Sequence, residues 1–376
     1  MRHNRAVTQE HATTVIDLGA LARNVERIKA HVNGPEVMAI VKADGYGHGL
    51  VPSAQAAVAG GATWLGVALL QEAIALRAAG VAARILAWLY TIDDQLAECV
   101  SSDVDLAVNS VSSVIAIAAA AESVGKTARV HIKVDTGLGR NGVTLEDLSA
   151  VLTEIASAQR AGHIEFVGLM SHLAFADEPL HRSIDLQLDR FTQALAIVRS
   201  AGFEPEIVNL SNSAAALNLP ATYFNVIRPG LAVYGIGHDV ELTPVMTLKA
   251  PIALIKNVAA GEGVSYSHTY QTKSATRLAL IPAGYADGIP RQASNRGPVL
   301  IGGQTLQIAG RVCMDQFVVD IGELDVVAGD EVVLFGDPKR GEPSVEDWAT
   351  AADTISYEIM TRLGPRVARQ YINAPW

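Results

Sequence analysis

Between residues 37 and 228 the chain alternates two textures. Short runs rich in Val, Ile and Leu fall at 37–41, 64–67, 85–88, 106–108, 130–134, 166–170, 207–210 and 226–227. Between them lie longer stretches, such as 110–124, 145–158 and 184–201, whose apolar positions recur at helical spacing, and another helical stretch, 18–31, precedes the first run. This alternation predicts a parallel α/β fold. Eight strands with helices between them, and polar residues gathered at the strand ends, predict a TIM-type (β/α)8 barrel rather than an open sheet. Beyond about residue 240 the pattern changes. Segments 244–258, 275–281, 298–301, 304–308, 316–321 and 331–335 read as strands joined by Gly, Pro and Asp turns, with one late helix opening at Ser344. Asp347, three residues on, makes a weaker form of the capping box. The expected division is a barrel over 1–240 and a mostly antiparallel β domain over 241–376.

Composition narrows the function classes. At 376 residues the chain is too long for one ordinary core, which suits two domains. The net charge of −10 argues against nucleic-acid binding, which needs a basic face. The most apolar stretch, 114–121, is far too short for a membrane span, and the polar opening, 1–14, lacks the apolar core of a signal peptide. Cys99 and Cys313 are the only cysteines, so no disulfide framework is expected and a cytoplasmic location is.

Lys42 carries the strongest chemical signal. It closes the apolar run Val37-Met38-Ala39-Ile40-Val41 and is followed by Ala43-Asp44-Gly45-Tyr46-Gly47-His48-Gly49. A lysine at the end of a buried strand, beside glycines that leave room and a tyrosine that can donate, is placed to form a Schiff base, and pyridoxal phosphate is the first cofactor to expect. On position alone a lysine snorkelling at a strand end is as good a reading. Gly137-x-Gly139-x-x-Gly142 matches the dinucleotide fingerprint formally, yet it follows the fifth strand rather than the first, and Lys133 and Asp135 interrupt the run before it. Taken alone, His172 reads as a hydrogen-bonded structural residue, Asn212-Ser213 as a helix cap, Tyr266 as a strand tyrosine and Lys133 as the partner of Asp135. No His or Cys pattern predicts a metal site, and Cys313 has no activating histidine beside it.

The strings together resemble the alanine racemases, in order and over almost the whole chain. Lys42 matches the cofactor lysine, and Lys133-x-Asp135-Thr136-Gly137-x-Gly139-Arg140 is a string of that family. The resemblance implies a substrate and cofactor-edge role for Arg140, with Lys133, which can be carbamylated, orienting it. It assigns the cofactor phosphate to Ser213, Gly230, the Leu231 amide and Tyr357, with Asn212 beside them, and the pyridine nitrogen to Arg228. His172 would bridge the ring arginine and a catalytic tyrosine. With Lys42, Tyr46 and Trp88 these complete the implied cofactor set. Asn209 stands where some racemases have histidine.

In the β domain, Tyr266 matches the base on the opposite face of the substrate. Tyr285 would narrow the entrance, and Arg311, Cys313 and Asp315 would flank Met314, whose amide meets the substrate carboxylate. These residues reach the other subunit's cofactor in the family, which implies a homodimer with shared sites. An arginine donates only, so the ring nitrogen would stay unprotonated, weakening the electron sink and favouring rapid proton exchange. The implied activity is two-base interconversion of L- and D-alanine, Lys42 handling the proton of the D isomer and Tyr266 that of the L isomer, with D-alanine going to peptidoglycan. Alternatives are a racemase for serine or a broader set of amino acids, a non-catalytic pyridoxal-phosphate-binding homeostasis protein, which lacks the β domain, and a nicotinamide dehydrogenase resting on the Gly137 turn.

Overall fold

The computed structural model describes residues 10–91, 94–237 and 240–376, so residues 1–9 of the polar opening lie outside the described residues. The chain divides into two compact units. One holds Gly19–Gly45 and Gly49–Thr243 with Pro375–Trp376, and the other holds Pro244–Ala374 together with Tyr46–His48 and the described residues up to Leu18. The first strand, β1 (Thr13–Asp17), therefore lies in the C-terminal unit rather than in the barrel expected over 1–240. It pairs antiparallel with Met246–Pro251 and parallel with Ala368–Ile372. Five residues are too few to reveal a strand partner that lies more than 200 positions away.

The first unit contains eight parallel strands: β2 (Glu36–Ile40), β3 (Trp64–Leu69), β4 (Arg84–Leu89), β5 (Asp105–Val108), β6 (Ala128–Lys133), β7 (Ile164–Met170), β8 (Ile207–Asn209) and β9 (Val226–Ile227). They lie side by side in chain order from β2 to β8, and β9 pairs with β2. Just past the two edge strands, the Arg228 N–H donates to the Ser211 carbonyl at 2.9 Å and draws the sheet into a near-closed barrel. Helices Leu18–Val32, Val111–Val124, Leu148–Arg160 and Ser183–Ser200 cover it. Where β6 and β7 shift register between Val130 and His131, Gly168 leaves needed space. A Cβ there would stand 2.3 Å from the His131 ring and 2.8 Å from the Ile207 carbonyl.

At the strand starts a charged cluster surrounds a buried carboxylate. Asp105, 0% exposed, accepts from Arg129 Nε at 2.7 Å, Arg84 Nη2 at 3.0 Å and His131 Nε2 at 3.1 Å. Arg84 also lies 3.9 Å over the Trp64 ring. Burial pushes the Asp105 carboxyl up, but the hydrogen bond and charge of His131 and the charges of Arg129 and Arg84 outweigh it and hold the group below its ordinary value.

In the second unit a six-stranded sheet runs Gln304–Gln307, Pro298–Ile301, Glu331–Phe335, Met246–Pro251, β1 and Ala368–Ile372. A three-stranded sheet joins Leu254–Val258, Thr276–Ile281 and Phe317–Asp320. The segment 244–258, expected as one strand, thus splits between two sheets after Pro251, which has no N–H to continue a ladder. Ser344 does open a helix, Val345–Ala351: its Oγ accepts from the Asp347 N–H at 2.9 Å, and Asp347 accepts from the Ser344 N–H at 2.8 Å. Among the described residues, no helix is long and apolar enough to cross a membrane.

Candidate active site

The barrel gathers its unusual side chains just beyond the C-terminal ends of its strands, where a βα loop can hold a polar group without breaking the ladder. Lys42 follows β2, and Ala43, Asp44 and Gly45 after it all have left-handed backbone angles near φ 54–60°. Away from glycine that conformation costs about 1–2 kcal/mol per residue, so the turn must be held from outside. The Lys42 ammonium lies 6.0 Å from the Trp88 ring at the end of β4. Burial pushes its pKa down, the Arg140 and Arg228 charges push the same way, and Glu72 opposes them.

Arg228, 5% exposed, sits just past β9. Its Nη2 donates to the Ser171 carbonyl at 2.6 Å, its Nη1 to the Asn209 carbonyl at 3.2 Å, and its Nη2 faces His172 Nδ1 at 3.4 Å. A guanidinium cannot accept, so Nδ1 is the unprotonated nitrogen and the imidazole carries its proton on Nε2. Burial first, then the charges of Arg228, Arg140, Lys133 and Lys42, hold the His172 pKa down at about 3. The ring is neutral at any ordinary pH.

Lys133, at the end of β6, is buried, and burial with the charges of Arg228, Arg140 and Lys42 lowers its pKa to about 8. It forms no ion pair with Asp135, whose Oδ1 instead accepts from the Gly137 and Gly139 N–H groups at 2.9 and 3.2 Å. The glycine string that mimics a dinucleotide loop is thus a turn folded around Asp135. At Gly142 a Cβ would stand 2.5 Å from the Asp135 nitrogen.

Past β8, Asn212 caps the helix Ser213–Asn218 by accepting from the Ala215 N–H at 3.1 Å, the bland role foreseen for it. Ser213 Oγ takes the Gly230 and Ala232 N–H groups at 2.8 and 3.2 Å, which fixes the loop after β9. Leu231 begins the short 3-10 helix Leu231–Tyr234, where an N–H has no acceptor within the helix. Among the described residues, the buried Asn209 side chain has no hydrogen-bond partner at either amide atom.

The second unit holds the remaining candidates. Tyr266, 68% exposed, stands on a turn in which Ser265, Ser267 and His268 all have positive φ. Ser265 Oγ donates to the Arg311 carbonyl at 2.8 Å and lies 3.3 Å from Cys313 Sγ, tying the tyrosine's turn to the loop of Met314. The Tyr285 N–H donates to the Cys313 carbonyl at 3.0 Å and the Ala286 N–H to the Met314 carbonyl at 2.9 Å, so the Tyr285 and Met314 turns run side by side. Met314 and Tyr285 are both exposed. Arg366 clasps the two turns: its Nη1 meets Asp315 at 2.7 Å and its Nε meets the buried Asp287 at 3.1 Å. Tyr46 lies in this unit too, its ring centroid 5.8 Å from that of Tyr357.

Residues 16–238 match the alanine racemase N-terminal domain family, and residues 245–371 match its C-terminal domain family. The chain belongs to the alanine racemase family. It is 49% identical over 366 residues to an alanine racemase of Frankia casuarinae, covering 95% of each chain. It is 50% identical over 369 residues to one of Beutenbergia cavernae, covering 96% of this chain and 98% of that one. Among solved structures, the alanine racemase of Streptomyces lavendulae superposes with a TM-score of 0.96 at 49% identity, covering 97% of this chain and 98% of that one. The family assignment and the (β/α)8 barrel with a mostly antiparallel β unit are thus as the sequence predicted. Sequence reasoning missed Glu72 and Arg366, and it gave no role to Ser265 and Asp287, which stand in the strings around Tyr266 and Tyr285; all four support the expected residues. For Glu72 alone a signal was available, since a glutamate three residues into a helix caps its start.

Proposed function

We propose that the chain racemises alanine with pyridoxal 5'-phosphate as cofactor. The observation that carries this reading is the gathering of four basic side chains at the barrel's strand ends, Lys42 past β2, Lys133 closing β6, Arg140 in the loop after it and Arg228 just past β9. Cations brought together against their own repulsion suit an anionic guest, and the cofactor's phosphate with the substrate's carboxylate is such a guest. Ser213, Gly230 and the Leu231 amide would hold the phosphate, Arg228 would donate to the pyridine nitrogen, and Arg140 would stand by the substrate. When bound, the cofactor supplies an aldehyde that condenses with amines and a ring that spreads the charge left at the α-carbon.

The chain's own residues supply the rest. Lys42, held by burial below its ordinary pKa, is free of its proton more readily than a surface lysine and takes or returns the α-proton on one face of the substrate, that of the D isomer. Tyr266 serves the opposite face, that of the L isomer. His172, kept neutral, passes the order imposed by Arg228 on toward that tyrosine through its Nε2–H. Tyr266 and Met314 are exposed on their own unit, which supports a homodimer in which the β unit of one subunit completes the barrel site of its partner. D-alanine made this way feeds peptidoglycan.

The test is spectroscopic and kinetic. Wild-type enzyme with pyridoxal phosphate should show a near-visible absorbance band that borohydride removes. Lys42→Ala should show neither that band nor racemisation of L- or D-alanine. Near-normal turnover in Lys42→Arg with the band intact would overturn the cofactor assignment, and profiling with D/L pairs including serine fixes the substrate range.

A further inference from the structure

The left-handed turn after Lys42 includes an alanine and an aspartate, residues that do not favour it, and such a run persists only where its surroundings over-determine it. Its far end is well fixed. The Gly45 N–H donates to the Val41 carbonyl at 2.8 Å, the Leu50 N–H donates to Asp44 Oδ1 at 2.8 Å, and Gly45 lies where a Cβ would stand 2.5 Å from Ser53 Oγ. Its near end has a different anchor. The Ala43 N–H donates to Glu72 Oε1 at 2.5 Å, while Glu72 Oε2 takes the Ala68 and Leu69 N–H groups at 3.0 Å each. Capping the helix Leu70–Ala78 needs only the second oxygen. The first is spent on the lysine's turn, so one carboxylate ties that turn to the end of β3.

We infer that Glu72 is a positioning residue for the reaction: it fixes the backbone turn after Lys42 and so sets where the lysine ammonium group stands. The inference rests on the role proposed for Lys42. A glutamine at 72 keeps a single acceptor oxygen and can serve Ala43 or the Ala68 and Leu69 pair, but not both. Replacing Ala43 with glycine removes the steric objection to the left-handed turn and lessens its need for an anchor.

The experiment compares wild type, Glu72→Ala, Glu72→Gln and the double variant Glu72→Ala with Ala43→Gly, all as holoenzymes. Amide hydrogen exchange over residues 41–50 is read by mass spectrometry beside steady-state alanine racemisation. In Glu72→Ala, exchange in this segment should rise by about tenfold while the rest of the barrel stays protected. Its kcat should fall by roughly ten- to a hundredfold, the scale of a misplaced catalytic group, with KM for alanine within about twofold. Glu72→Gln should fall between, and Ala43→Gly should return much of the lost kcat. Wild-type exchange over 41–50 in Glu72→Ala, or a loss of kcat that Ala43→Gly leaves untouched, would overturn the inference and leave Glu72 as a helix cap alone. If Glu72→Ala fails to fold, Glu72→Gln with and without Ala43→Gly decides by the same two readouts. Absence of racemisation in wild type would remove the proposed function while leaving the exchange measurement valid, so the two failures are distinct.

Discussion

The two units hold their candidate residues in different ways. In the barrel Lys133 and Arg228 are buried and Lys42 is half-buried, and they sit where β6, β9 and β2 end. Their charges reshape one another: Lys42, Lys133 and His172 are all pushed down by burial and by neighbouring arginines. In the β unit the candidates Tyr266, Tyr285 and Met314 are exposed, stand on turns, and are held by backbone hydrogen bonds and a surface clasp. Burial at parallel strand ends tunes protonation, whereas a turn leaves a group accessible.

The strongest challenge to that contrast is complementation. Homodimers of Lys42→Ala and of Tyr266→Ala should each be nearly inactive, losing roughly a thousandfold or more in kcat. Mixed and allowed to exchange subunits, equal amounts should recover about a quarter of wild-type activity, because half the dimers are mixed and half of their sites are whole. No recovery, with exchange shown independently, would mean that Tyr266 serves its own chain or is not the second base.

Stability should separate the units next. Asp105→Ala leaves Arg84, Arg129 and His131 without their shared anion inside the barrel, and should cost about 3–5 kcal/mol in urea unfolding. A loss below about 1 kcal/mol, the value of a surface pair, would mean that the cluster is well solvated.

The clasp in the β unit should behave differently. Arg366→Ala loosens the Met314 turn relative to the Tyr285 turn and should raise KM for alanine by roughly three- to tenfold, with kcat little changed. A fall in melting temperature with both constants unaltered would leave Arg366 a purely structural residue.

The remaining effect is a pH dependence. In the folded protein Lys133 titrates near 8, against 10.5 for an ordinary lysine. Below pH 8 both folded and unfolded states carry the proton, and the folded state bears the full cost of the buried cation. As pH rises from 8 toward 10.5 only the folded state sheds the proton, and the cost disappears. Lys133→Met should therefore raise the melting temperature of the cofactor-free protein by a few degrees below pH 8, and the gain should fade by pH 10.5. A gain independent of pH would point to packing rather than charge.

The local sequence determined the eight barrel strands, because each is a short apolar run whose periodicity needs no distant partner to be read. It also determined the strand-end strings around Lys42, Lys133, His172, Ser213 and Arg228, since a polar residue closing an apolar run marks a βα loop. The tertiary structure alone decided that β1 joins a sheet with Met246–Pro251 and Ala368–Ile372, that 244–258 divides between two sheets, and that Asp135 folds the glycine turn around itself. It alone brought Glu72 to the Ala43 N–H and Arg366 to Asp287 and Asp315. The physical reason is the same in each case. Periodicity and turn chemistry act over a few residues, whereas pairing partners and charge neighbours are chosen by which distant segments pack together, and no spacing along the chain records that choice.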